Sequence, residues 1–106
     1  MSSIKITRYR FIAVIYPHLS MEAEVKDSVG TYYVNIDVNG KGEKEELNHS
    51  WWAYTCPLDE VDYDHYDDHV VTRDFSEVLI KMLNRWNNAD RHHMVPFRET
   101  DWILFA

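Results

Sequence analysis

The sequence predicts an α+β fold: an antiparallel sheet of four to five strands with one amphipathic helix packed on one face. Three observations carry this. Period-two runs of β-branched and aromatic residues fill the first half of the chain. Asn39-Gly40 separates two such runs and marks a tight hairpin, because both residue types tolerate positive φ. An apolar stripe with helical spacing occurs once, after Asp74. At 106 residues the chain is expected to be a single domain, 1–106, with a core that needs no staples.

The first strand is expected from Ile4 to Tyr16. One face carries Ile4, Ile6, Arg8, Arg10 and Ile12; the other carries Lys5, Thr7, Tyr9 and Phe11. Apolar residues on both faces after Tyr9 predict a central strand, stopped by Pro17. The opening residues are basic and then apolar, as in a leader peptide. The apolar run Phe11 to Tyr16 is too short for one, so a strand is expected instead.

His18 to Ser20 read as a turn. Met21 to Val29 then alternates Met21, Ala23, Val25 against Glu22, Glu24, Lys26. The same residues are good helix formers. Hairpin spacing to the next run favours a short edge strand with its charges outward. Thr31 to Val38 is the cleanest strand, with Tyr32, Val34, Ile36 and Val38 on one side. The return strand is expected over about Glu45 to Cys56, with Trp51, Trp52 and Tyr54 as its apolar payload. An aromatic of that set left exposed would be a binding-surface candidate.

After Pro57 an acidic loop is expected, then Val70 and Val71 leading into the helix. Asp74 with Glu77 resembles a capping box. Phe75, Val78, Leu79, Met82, Leu83 and Trp86 form the stripe, and Ile80 lies off it. The helix is expected to end near Asn88. The apolar tail Trp102 to Phe105 is expected to pair as a last strand, to tuck into the core, or to dock on a second copy of the chain.

Charge is the least ordinary feature. The formal net charge is -7. Asp59 to His69 reads DEVDYDHYDDH and contains six carboxylates with no Lys or Arg. The remainder is nearly balanced. Such a chain is not expected to bind nucleic acid or an anionic membrane directly. There is no apolar run of ~18 residues to span a membrane. Arg8 and Arg10 share a strand face, and their ordinary role is pairing with the chain's own acids. The single cysteine, Cys56, allows no internal disulfide, which fits a reducing cytoplasmic setting and a structural thiol.

Catalytic motifs are absent. There is no P-loop, no dinucleotide glycine pattern and no GxSxG. Three glycines are little material for a phosphate cradle. The chain is therefore expected to be no enzyme and to need no cofactor.

The candidate partner-binding residues are Asp59, Glu60, Asp62, Tyr63, Asp64, Tyr66, Asp67 and Asp68. Carboxylates two or three residues apart lie roughly 5–7 Å apart along such a segment, near the phosphate spacing of a nucleic-acid strand. The expected partner is a basic nucleic-acid-binding protein, such as a nuclease or a defence complex, drawn in electrostatically. Tyr63 and Tyr66 would anchor it. The bland alternative is a solvated acidic loop with no partner.

A second reading is a metal-binding protein or small metal-dependent enzyme. It would use His65 and His69, which share a face if the segment is helical, with neighbouring Asp and with His92 or His93. No HExxH, cysteine pair or EF-hand loop supports it. A third is a structural or assembly subunit that dimerises through the C-terminal tail. In size, acidity and lack of catalytic motifs the chain resembles two loose classes. These are phage-encoded inhibitors of bacterial defence, anti-CRISPR proteins among them, and immunity proteins that neutralise nuclease toxins. That likeness implies inhibition by occupying a basic groove, with no turnover.

Overall fold

The structure, a computed structural model, describes residues 4–15, 18–39, 48–89 and 101–105. Four long strands follow the period-two runs: β1 (Lys5–Ile15), β2 (His18–Lys26), β3 (Thr31–Asn39) and β4 (Asn48–Tyr54). Each pairs antiparallel with the next. Two short strands complete the sheet. β5 (Val70–Val71) pairs with β4, and β6 (Ile103–Leu104) pairs with β1. The six strands run in the order β5-β4-β3-β2-β1-β6. The helix α1 spans Ser76–Ala89. The fold is α+β, with six strands among the described residues in place of four to five.

Register explains the core. Met21 lies opposite Ile36, and Ala23 opposite Val34. Ile36 lies opposite Trp51, and Val34 opposite Ala53. This puts one apolar row across three strands. Phe75, Val78, Leu79 and Met82 pack on that row in one buried cluster. Phe75 meets the rings of Tyr32 and Trp51 at 5.5 and 6.0 Å. Full burial of such side chains stabilises by roughly 1.5–3 kcal/mol each, so the stripe dominates docking of the helix. Leu83 is half-buried against the same cluster, and Ile80 is 58% exposed, as the stripe requires.

Several expectations are corrected. His18 to Ser20 are the start of β2, not a turn. β2 is central, flanked by β1 and β3, and its carboxylates do not point into solvent: Glu22 and Glu24 are buried. β6 flanks β1 only at Arg8 and Tyr9, so the second half of β1, expected to be central, pairs with β2 alone among the described residues. Ile6 and Arg8 do not share a face. A bulge at Thr7 shifts the register between them, so Ile6 pairs with Val25 and Tyr9 with Ala23 on the core face. An extra residue in one strand reverses the faces of the side chains that follow it, here as far as Phe11, since the register shifts again between Phe11 and Ala13. Val70 and Val71 form β5 in place of a lead-in. The tail pairs as a last strand, the first of the outcomes expected for it.

The helix begins at Ser76. Asp74 accepts a hydrogen bond from the Ser76 N–H at 2.9 Å, while Glu77 pairs forward with Lys81 and so does not close a capping box. Gly40, Gly42, Pro17, His92, His93 and Pro96 lie outside the described residues, as does the side chain of Trp86.

Candidate functional site

The sheet face opposite α1 carries charge. The bulge at Thr7 sets Arg8 against Glu24 and Arg10 against Glu22. Arg8 Nε and Nη2 donate to Glu24 Oε2 at 3.0 and 2.7 Å. The Tyr33 hydroxyl donates to the same oxygen at 2.9 Å, and the Thr7 hydroxyl donates to Oε1 at 2.7 Å. Burial alone would raise the Glu24 pKa. The hydrogen bonds from Arg8, Thr7 and Tyr33 outweigh it and hold the carboxyl below its ordinary range.

Glu22 is fully buried, and both of its oxygens are engaged. Arg10 Nε donates to Oε1 at 2.6 Å, and the Leu58 N–H donates to Oε2 at 2.8 Å. That second bond ties the acidic segment to the sheet. Leu58–Glu60 is a 3-10 turn, and Asp59 reaches Arg10 at 3.3 Å. Val61 is buried just beyond. The segment expected as a loop is therefore built of short turns on a charged, satisfied base.

Its second half is the 3-10 stretch Tyr63–Asp68. Asp62 starts it, accepting from the Asp64 N–H at 3.0 Å. His65 Nδ1 lies 3.0 Å from Asp62 Oδ2. The His65 hydrogen bond first, and the Asp64 N–H second, lower the Asp62 pKa. Tyr66 packs edge-on against Tyr54 at 5.9 Å. Tyr63, 69% exposed, stacks on Tyr66 with ring planes 11° apart. Burial is the first cause, and the Tyr66 hydroxyl the second, that pushes the Tyr54 phenol up.

All six carboxylates, Asp59, Glu60, Asp62, Asp64, Asp67 and Asp68, are exposed. Among the described residues only Asp59 and Asp62 of these have ion-pair partners, Arg10 and His65. Tyr63, Asp64, His65, Tyr66, Asp67 and Asp68 line an open hollow of about 360 Å³. The segment can attract a cationic surface and offer it one exposed ring.

The two histidines are not brought together as a helix would bring them. The backbone kinks at His65, with φ -125° and ψ 40°. His65 turns to Asp62, whereas His69 Nδ1 lies 3.5 Å from Thr55 Oγ1 and 3.6 Å from Cys56 Sγ. Among the described residues no three His, Cys, Asp or Glu side chains group as a metal ion needs. Burial first, then Glu60, Glu22 and Asp59, pushes the Cys56 thiol up, away from the thiolate a nucleophile requires.

Sequence reasoning missed Glu22, Glu24 and Trp102. Trp102 lies over the guanidinium groups of both Arg8 and Arg10, at 4.3 and 4.6 Å. One clue was present. Arg8 and Arg10 two apart, and Glu22 and Glu24 two apart, are complementary rungs of an antiparallel hairpin.

No protein-family model, curated protein or solved structure matches the chain. Among the described residues no helix is long and apolar enough to cross a membrane.

Proposed function

We propose that the chain is a small protein-binding inhibitor that blocks a basic nucleic-acid-binding groove on a target protein. The proposed class is the anti-CRISPR or nuclease-immunity type. One observation carries the reading: six exposed carboxylates sit on a short segment whose backbone and side chains are tied to the sheet through Glu22, Arg10 and Tyr54. Ordering that segment before binding lowers the entropic cost of association. Concentrated negative charge speeds encounter with a Lys/Arg groove and makes the contact sensitive to salt. Tyr63 offers an exposed ring on which a guanidinium can stack. Inhibition is by occupancy, with no turnover.

The test begins with the full chain as bait in lysate of its native host, at low and at high salt. A captured nuclease or other nucleic-acid-binding protein, released by salt or by added DNA, is the expected result. The bait is then changed at Asp62, Asp64, Asp67 and Asp68 to Asn, one at a time and together. Each change should weaken capture and flatten its salt dependence. Capture that is indifferent to all four substitutions would remove the acidic segment from the mechanism.

A further inference from the structure

The sheet face away from α1 holds an arginine site that the chain fills itself. Arg8 is gripped by Glu24 at 2.7 Å and lies over the Trp102 ring at 4.3 Å. The Tyr33 hydroxyl donates to the same Glu24 oxygen. A guanidinium is held there by a carboxylate at its edge and an aromatic ring on its face. Tyr33 pairs with Tyr54 across the sheet, and a second stretch of the same face begins at that rung.

There the same ingredients recur unfilled. Trp51 and Ala53 of β4 face the core, so Trp52 and Tyr54 share the open face, with a repeat of roughly 7 Å between them. Tyr54 meets Tyr66 at 5.9 Å, and Tyr66 meets Tyr63 at 6.4 Å. The four rings form one row. Both its ends are open: Trp52 is 54% exposed and Tyr63 69%. Asp37, exposed on β3, stands beside the row, and its charge bears on the Tyr54 phenol. Asp64, Asp67 and Asp68 line the hollow with Tyr63 and Tyr66. Among the described residues none of these four carboxylates has an ion-pair partner, and no guanidinium lies over any ring of the row.

We propose that the aromatic row from Trp52 to Tyr63, with Asp37 and the carboxylates of the hollow, is a receptor for arginine side chains of the partner protein and takes them in preference to lysine. The inference rests on the reading of the acidic segment as the contact for a basic groove, and it extends that contact across the sheet to Trp52 and Asp37. Charge complementarity makes the occupant cationic, and the formal charge of -7 disfavours a second copy. The rings make it a guanidinium. That group is planar and weakly hydrated, so it can stack on a ring while its edge donates to a carboxylate. An ammonium is a strongly hydrated point charge and gains little from the ring. Arg8, between Trp102 and Glu24, shows the arrangement filled.

The test titrates the full, isotope-labelled chain with two probes of equal charge, a capped tetra-arginine peptide and a capped tetra-lysine peptide, read by NMR. The arginine peptide should bind roughly three- to tenfold more tightly and shift the Trp52 indole N–H. Trp52→Leu and Tyr63→Leu, both at exposed positions, should each reduce the arginine preference and leave lysine binding unchanged. Asp37→Asn should weaken both peptides. Circular dichroism verifies that the variants keep their strands. Equal affinity for the two peptides overturns the proposal. So does an arginine preference that survives both ring substitutions, or a Trp52 signal that moves with protein concentration alone, which would assign the row to a second copy. Capture of a host protein that depends on Asp62 to Asp68, without any arginine preference in the peptides, ends this inference and leaves the inhibitor reading standing. An arginine preference that needs both rings, with no host protein captured, supports the receptor and counts against that reading.

Discussion

Arg10 donates its Nε–H to Oε1 of Glu22 at 2.6 Å, in the middle of a sheet where Glu22 has no exposed surface. A buried carboxylate is tolerable only while its partners are present. Arg10→Met should therefore destabilise the protein by about 3 kcal/mol or more in urea unfolding. Arg10→Met with Glu22→Met should recover most of that, but not all, because the Leu58 N–H loses its acceptor. A single variant within ~0.5 kcal/mol of the parent would contradict the burial of this pair.

Glu24 sets the acid limit. Its folded pKa lies below its ordinary value, despite the upward push of burial, because Arg8, Thr7 and Tyr33 bond the charged form. A carboxyl with a lowered folded pKa contributes stability above its unfolded pKa, and that contribution is lost as pH falls through the folded value. Asp27 acts in the same direction, held low first by the Gly30 N–H, with Val29 and Arg73 adding to it. Urea midpoints should be flat on descent from neutral pH and fall only near and below pH ~4.3. Thr7→Val should shallow the acid slope. An acid slope that Thr7→Val leaves unchanged would contradict this role of Glu24.

The helix stripe predicts a steep contrast between neighbours. Phe75→Ala should cost about 3–5 kcal/mol, since it empties a fully buried site between Tyr32 and Trp51. Ile80→Ser, on the exposed flank of α1, should stay within ~0.5 kcal/mol. Thermal unfolding of the two variants against the parent measures both.

Cys56 should be a slow thiol. Burial and three nearby carboxylates disfavour the thiolate. Alkylation by iodoacetamide should be slow at pH 7 and rise with a midpoint above that of a free cysteine. Glu60→Gln should bring the midpoint down. Rapid alkylation at neutral pH would show that His69 activates the thiol after all.

Trp52 is 54% exposed, on the sheet face that does not carry α1. It is the aromatic of the Trp51, Trp52, Tyr54 set that meets solvent most openly. Trp52→Ser should leave the urea midpoint nearly unchanged, whereas Trp51→Ser, beside Phe75, should lower it clearly.

The sequence by itself determined the α+β class, the four long strands, the helix stripe and the concentration of charge at Asp59 to Asp68. These are local properties. Alternation of side chains and the 3.6-residue period are set within a few neighbouring residues. It also marked Trp102 to Phe105 as an apolar run that needs cover, while the choice of a last strand on β1 came from the tertiary structure.

Only the tertiary structure decided which strand is central and which charges are inside. The bulge at Thr7 inserts one residue, and it turns Arg8 and Arg10 towards Glu24 and Glu22. Neighbours on both sides of β2 then bury carboxylates that alternation alone would assign to solvent. The Leu58 N–H on Glu22 and the Tyr66 ring on Tyr54 give the acidic segment its base. The reason is one of range. Strand order and burial depend on pairings between residues far apart in the chain, and periodicity within a strand carries no information about its neighbours.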